Sequence, residues 1–137
     1  MQNLSASNRK ALLMSLHDDI HKAAQHSARI VLQGKLDRVS YPPNLEFNPE
    51  EVTALSKIGE IPGIQSALEK IFADAAASVI FSFLNYIDGT GDPALAASGW
   101  SEVDLVDRNH SSDGGEVFLH TAFYDTYWNW RDANAGA

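Results

Sequence analysis

The residues of this sequence whose types and spacing favour binding chemistry are concentrated near its C-terminal end. Six of the 13 aromatic residues lie between Phe118 and Trp130. Tyrosine, tryptophan and arginine are enriched at binding hot spots, because they give a large contact area at a small entropic cost. If this segment is a helix, its polar-tipped aromatic residues and arginine lie on neighbouring parts of one side. His120, Tyr124, Tyr127 and Arg131 form one stripe, and Trp128 lies just beyond it. The stripe predicts a partner-binding surface, and the alternative is a helix packed on two sides.

The opposite side of the same segment is typical of a core. Leu119, Phe123, Thr126 and Trp130 recur at steps of three and four residues, which places them on one side of a helix. We therefore expect this seam to be buried. The helix is predicted to start at Asp113 and Glu116, which have the spacing of a capping box, and to end near Asp132.

His17 and His21 form the second candidate pair. The segment from His17 to His21 matches the H-E-x-x-H zinc motif except that Asp18 stands at the glutamate position. Aspartate is one methylene shorter than the required general base, and no third ligand follows in the usual context. We therefore predict no metal here and interpret both histidines as residues that cover the edge of the core.

Other catalytic signatures are weak in this chain. The segment Asp88–Asp92 lacks the ligand spacing of an EF-hand and the lysine of a P-loop, so it is interpreted as a turn that ends a helix. The sequence has no cysteine, no G-x-S-x-G elbow and no G-x-G-x-x-G fingerprint. No cofactor is expected. A small enzyme or ligand-binding domain, using His120, Tyr124 and Asp74 in a cleft, remains the alternative function.

The charge of the chain is strongly asymmetric. The net charge is −8, and residues 88–137 contribute nine acids against Arg108 and Arg131, a net of −7. A negative net charge argues against binding to nucleic acid and favours a basic protein partner. Asp104, Asp107 and Asp125 are the acids expected to join the aromatic stripe. The alternative is that the acids only keep the domain soluble.

The elements that must position these residues are mainly helical. Apolar residues at helical spacing predict a first helix from Ser7 to Gln33, and Asn48-Pro49 predicts the start of a short second helix that ends near Gly59. A third helix is predicted from Pro62 or Ile64 to Ile87. Its second half is apolar on nearly every side, which indicates a central buried helix. Only residues 100–108 alternate as a strand does, and either Arg38–Tyr41 or Glu116–Leu119 could supply the pairing strand.

These observations predict one mainly α domain over residues 1–137, with a helical part (1–87) and an acidic, aromatic part (88–137). Four helices are expected around a central buried helix, with a short strand or hairpin near residues 100–108. The N-terminal residues lack the layout of a signal peptide, no segment is long enough to cross a membrane, and the cytoplasm is the expected compartment. We expect a non-enzymatic protein of the immunity or inhibitor type that docks a basic toxin or nucleic-acid enzyme. A homodimer through the aromatic helix is a further possibility.

Overall fold

The computed structural model describes residues 4–95, 99–109 and 115–135. The protein is mainly α and has four helices: α1 (Ala6–Leu32), α2 (Pro49–Ile58), α3 (Ile64–Asp88) and α4 (Leu119–Asn134). A 3-10 turn at Leu36–Arg38 follows α1. The predicted four-helix, mainly α fold is thus confirmed. Across the described ranges, no helix combines the length and the hydropathy that a membrane span requires.

The chain divides into two compact units. The first unit comprises Met1–Asp19 with Ala77–Ala137, and the second comprises Ile20–Ala76, so α1 and α3 each contribute to both. The first unit holds eleven acidic and four basic residues, a net charge of −7, whereas the second has a net charge of −1. The negative charge of the protein therefore belongs to the unit that contains α4.

The core of the first unit is built from α1, α3 and α4. Its four largest fully buried side chains are Leu13, Leu84, Leu119 and Phe123. In the second unit, the buried side chains of α1 recur every two to four residues: Ile20, Ala24, Ala28 and Ile30. The helical periodicity that predicted α1 is therefore also the periodicity of its burial.

The start of α2 follows from a local sequence signal. Asn48 accepts a hydrogen bond from the backbone N–H of Glu51 at 2.8 Å, and the Glu51 carboxylate accepts one from the backbone N–H of Asn48 at 3.2 Å. This is a complete capping box, with Pro49 at the first helical position. The predicted start and end of α2 are confirmed.

The prediction that α3 is a buried central helix is wrong. Only Leu84 and Asp88 are buried in this helix, while Ile71, Val79 and Phe83 are 62%, 69% and 54% exposed. Most apolar residues of α3 are larger than alanine, and an apolar pattern around a whole helix leads to burial only where other elements cover all of its sides. Apolar composition therefore predicted the helix correctly and its burial incorrectly.

The predicted strand near residues 100–108 is reduced to isolated bridge positions. Val106 and Val117 are bridge residues, and residues 100–105 have no regular structure. Val103 and Leu105, whose alternation suggested the strand, are 39% and 37% exposed. Alternation alone does not make a strand, because a strand also needs a partner with which to form a ladder of hydrogen bonds.

Candidate functional site

The start of α4 is held by a residue from another helix. Asp88 is the last residue of α3 and is buried. Its Oδ1 accepts a hydrogen bond from the backbone N–H of Leu119 at 3.0 Å, and its Oδ2 accepts one from the backbone N–H of His120 at 2.8 Å. Phe118, the residue at the cap position, makes no side-chain cap bond. The carboxylate of Asp88 therefore does the work of an N-cap for α4.

The capping box predicted for this helix is not what starts it. Glu116 lies before the first helical residue, Leu119, and Asp113 lies outside the described residues. The acidic charge that a helix N-terminus favours is supplied instead by Asp88. The start of α4 is thus fixed by a contact between residues 31 positions apart.

Asp88 also binds the side chain of His120. Nδ1 of His120 donates a hydrogen bond to Oδ2 of Asp88 at 2.6 Å, and the His120 side chain is 18% exposed. The imidazole lies 5.7 Å from the ring of Phe81 and 5.5 Å from that of Phe118, measured between ring centroids. The carboxylate and the two aromatic rings fix the orientation of the imidazole.

An aspartate–histidine pair is one part of an acid–base catalytic site, which also needs a nucleophile hydrogen-bonded to the histidine. In the described ranges, no hydroxyl group is hydrogen-bonded to His120. Asp74, which we expected beside His120 and Tyr124, is exposed on α3 in the second unit. The geometry of the Asp88–His120 pair fits a structural role in positioning α4.

The aromatic stripe of α4 lies across the border between core and solvent. His120 and Tyr127 are partly buried, whereas Tyr124 and Trp128 are 52% and 54% exposed and Arg131 is also exposed. We call Tyr124, Trp128 and Arg131 the α4 ridge. In the predicted stripe, His120 and Tyr127 thus face the protein, whereas the residues of the α4 ridge face solvent.

The α4 ridge is ordered by contacts within α4 and by a contact with Phe81 of α3. The guanidinium carbon of Arg131 lies 4.4 Å from the centroid of the Trp128 ring, which is a cation–π arrangement. Nη2 of Arg131 is also 3.3 Å from a carboxylate oxygen of Asp132. The ring of Tyr124 lies 5.5 Å from that of Phe81. The exposed rings are therefore held in place by neighbours while their outer faces remain open to solvent.

The buried side of α4 packs on α1 through stacked rings. Leu119, Phe123 and Thr126 are buried and Trp130 is partly buried, so the predicted core seam is confirmed. The ring of His17 is stacked on that of Phe123 with centroids 4.3 Å apart, and its Nε2–H donates to the backbone carbonyl of Phe123 at 2.5 Å. The ring of Tyr127 meets His17 edge-on at 5.5 Å. His17 is therefore a core residue, 4% exposed, rather than a residue at the edge of the core.

The acids predicted for the binding surface fall into two groups. Asp104 and Asp125 are exposed, but Asp107 is 5% exposed and binds the start of α1. Its carboxylate accepts hydrogen bonds from the backbone N–H of Ser5 at 3.1 Å and from Nδ2 of Asn8 at 2.8 Å. The hydrogen bonds from Asn8 and Ser5 lower the pKa of Asp107, outweighing the opposing effect of burial. Asp107 therefore holds Ser5, whose hydroxyl caps α1 by accepting the backbone N–H of Asn8 at 3.2 Å. Its burial sets it apart from exposed Asp104 and Asp125, so its predicted place on the binding surface is corrected.

Two further features bear on ligand binding. Among the described residues, no group of three or more histidines, aspartates or glutamates is placed to hold a metal ion. An open groove of about 320 Å³ lies between α1 and α4, with Asp18, Asp19 and Trp130 in its lining. The indole Nε1–H of Trp130 donates a hydrogen bond to Oδ1 of Asp18 at 3.4 Å, so these two lining residues bind each other.

Comparisons of the chain with protein-family models, with curated proteins and with solved structures found no match.

Sequence reasoning missed Asp88 as a site residue, although the sequence holds a signal for it. An acidic residue in the last turn of a helix opposes the helix dipole, which favours a cation there. Asp88 at the end of α3, directly before Gly89 with its positive φ of 70°, is such a residue. An acid in that position indicates that its carboxylate is used by another part of the fold.

Proposed function

We propose that this protein is a non-enzymatic, acidic binding protein that docks a basic protein partner through the α4 ridge. The observation that carries the proposal is the half-exposed state of two large rings, Tyr124 at 52% and Trp128 at 54%, on a unit with a net charge of −7. Rings that expose half of their surface contribute less to folding than buried ones, and they are the residue types that anchor protein interfaces.

The charges of the ridge suit a basic partner. Asp125 and Asp132 are exposed on the same helix, and Arg131 is paired with Asp132, which offsets the one positive charge of the ridge. A concentrated negative field accelerates association with a positively charged protein. The rings would then supply the contact area, and the acids would supply speed and selectivity.

The class of partner follows from the same charge. Enzymes that act on nucleic acids carry cationic sites for phosphate groups, and an acidic protein that covers such a site excludes the substrate. An inhibitor of the immunity type, bound to a toxin or to another nucleic-acid enzyme, is therefore the function that we propose.

The experiment is capture of partners on the immobilised protein, followed by rate measurements. Wild type and Trp128→Ala are compared with Tyr41→Ala, because Tyr41 is an exposed ring, 85% exposed, in the unit of low net charge. Captured proteins are identified by mass spectrometry, and the recombinant partner is then tested at about 50 mM and about 500 mM salt.

We expect a basic protein whose capture is lost in Trp128→Ala and retained in Tyr41→Ala. Its association rate should fall at least about tenfold at the higher salt concentration, because screening removes electrostatic steering. A captured protein of acidic isoelectric point, or equal capture by both variants, contradicts the proposal.

A further inference from the structure

The α4 ridge already holds a guanidinium group between an aromatic ring and a carboxylate. The guanidinium carbon of Arg131 lies 4.4 Å from the centroid of the Trp128 ring, and its Nη2 lies 3.3 Å from Oδ1 of Asp132. The side chains of Arg131 and Asp132 are 53% and 71% exposed, so this contact lies at the surface, where another molecule can reach it. We call the ring of Trp128 and the carboxylate of Asp132 the guanidinium site.

The ring of this site is supported by the packing of α4 on α1. The ring of Tyr127, which is partly buried, meets that of Trp128 edge-on, with the centroids 5.2 Å apart. Tyr127 in turn meets the buried ring of His17 of α1 edge-on at 5.5 Å. Because the Trp128 ring is supported in this way before a ligand arrives, binding to it has a smaller entropic cost.

The carboxylates around the ring add charge on the same side of α4. Asp132 follows Trp128 by four residues and Asp125 precedes it by three, and these are the spacings at which side chains on a helix are neighbours. Both aspartates are exposed. The aromatic face of Trp128 thus lies between two acids, one turn to either side, which is an arrangement that attracts a cation.

A guanidinium suits this site better than an ammonium group does. The guanidinium is flat, so it can stack on the indole while its N–H groups bind the carboxylate of Asp132. The ammonium of lysine is a compact and strongly hydrated charge that cannot stack. The chain's own Arg131 shows that both contacts can be made by a single guanidinium. The site therefore selects arginine among the basic side chains.

We propose that the α4 ridge recognises an arginine side chain of the basic partner, which takes the place of Arg131 at the guanidinium site. Arg131 is then an internal competitor for its own binding surface. Its displacement gives up one exposed cation–π contact and one exposed ion pair, both of which are weak, and the partner's arginine restores both contacts. This inference rests on the proposed function, because it names the group by which the partner binds.

The first test uses peptides and does not need the partner. Capped tetra-arginine and tetra-lysine are titrated into the ¹⁵N-labelled protein at about 150 mM salt, where distant charges are largely screened. The indole N–H signal of Trp128, assigned by its loss in Trp128→Phe, reports binding. Arg131→Gln is compared with wild type and with Arg108→Gln. Both variants remove one positive charge from an exposed position of the same unit, and only Arg131 lies on the ring.

We expect Arg131→Gln to bind tetra-arginine about threefold to tenfold more tightly than wild type, because one cation–π contact and one surface ion pair no longer compete. Arg108→Gln should match wild type, and tetra-lysine should bind Arg131→Gln more weakly than tetra-arginine does. Equal gains in the two glutamine variants would show that net charge alone matters and would overturn the proposal. Equal binding of the two peptides would overturn the selection of arginine.

Two further variants test the parts of the site separately. Arg131→Lys keeps the net charge and replaces the flat competitor, so it should show part of the gain for tetra-arginine. Adding Asp132→Asn to Arg131→Gln removes the carboxylate of the site, and the gain should disappear. A gain that persists in this double variant means that Asp132 does not bind the ligand, which contradicts the proposed site.

The second test separates this inference from the proposed function. The affinity of the captured partner is measured with wild type, Arg131→Gln and Arg108→Gln, and it should rise about threefold to tenfold in Arg131→Gln alone. A basic partner that binds wild type and Arg131→Gln equally supports the proposed function and overturns the inference. Tight binding of tetra-arginine by Arg131→Gln without capture of any basic protein supports the guanidinium site and removes the proposed function.

Discussion

Asp88 and His120 connect the end of one helix to the start of another through a single carboxylate oxygen. Oδ2 of Asp88 accepts hydrogen bonds from the backbone N–H of His120 at 2.8 Å and from its Nδ1 at 2.6 Å. A carboxylate at the end of α3 is unfavourable to the dipole of α3 and favourable to the dipole of α4. Its position is therefore stable only while α4 stays docked, so the helix that carries the ridge and its anchoring residue depend on each other.

Substitution of Asp88 should destabilise the protein. In Asp88→Ala the N–H groups of Leu119 and His120 lose their acceptor, and we expect a loss of about 2–3 kcal/mol in the free energy of unfolding. Urea denaturation measures it, with Asp92→Ala as the control because Asp92 is exposed four residues later. The control should stay within about 0.5 kcal/mol of wild type. Equal effects of the two variants would mean that Asp88 does not cap α4.

The imidazole of His120 should be coupled to Asp88 in stability. His120→Ala removes the bond from Nδ1 but leaves both backbone N–H bonds to Asp88, so it should cost less than Asp88→Ala. A double-mutant cycle with both alanine variants should give a coupling energy between about 0.5 and 3 kcal/mol, the range for residues in direct contact. A coupling near zero would show that the pair in the structure contributes nothing to folding.

Asp107 should make the stability of the protein depend on pH in the acidic range. The hydrogen bonds from Asn8 and Ser5 hold the folded-state pKa of Asp107 below its ordinary value of 3.8. The ionised carboxylate therefore stabilises the folded state. This stabilisation is fully present above the unfolded-state pKa and is lost as pH falls through the lowered folded-state pKa. Urea midpoints between about pH 6 and pH 2 should therefore fall more steeply in wild type than in Asp107→Asn, whose side chain does not titrate.

The control for Asp107 is its neighbour Asp104. Asp104 is exposed in the same segment of the chain, and Asp104→Asn should keep the steep acid dependence of wild type. If Asp104→Asn and Asp107→Asn flatten the profile equally, the hydrogen bonds at the start of α1 are not its cause.

The elements with local signals were predictable from the sequence, and the contacts between distant residues were not. The capping box of Asn48 and Glu51 lies within four consecutive residues, and it predicted the start of α2. Asp107 and Ser5 are 102 residues apart, so nothing in the neighbourhood of Asp107 distinguishes it from exposed Asp104. Asp88, which sequence analysis placed in a turn, has a local signal at the end of α3, but nothing near it in the sequence identifies Leu119 and His120 as its partners.

The burial of α4 was only in part predictable. Helical spacing separated the seam of Leu119 and Phe123 from the stripe of polar-tipped rings, because spacing fixes the directions of side chains around the axis. It could not say which members of the stripe face solvent. That depends on where His17 of α1 and Phe81 of α3 lie, since their rings cover Tyr127 and His120.

Phe123 and Tyr124, adjacent on α4, should respond in opposite ways to truncation. Phe123 is fully buried and stacked on His17, so Phe123→Ala should cost about 3–5 kcal/mol and lower the unfolding temperature sharply. Tyr124 is half exposed, so Tyr124→Ala should cost less than about 1 kcal/mol and should instead reduce capture of the basic partner. Thermal unfolding and partner capture, measured on both variants, distinguish a residue that stabilises the fold from one that binds the partner. A Tyr124→Ala protein as unstable as Phe123→Ala would show that the ridge belongs to the core.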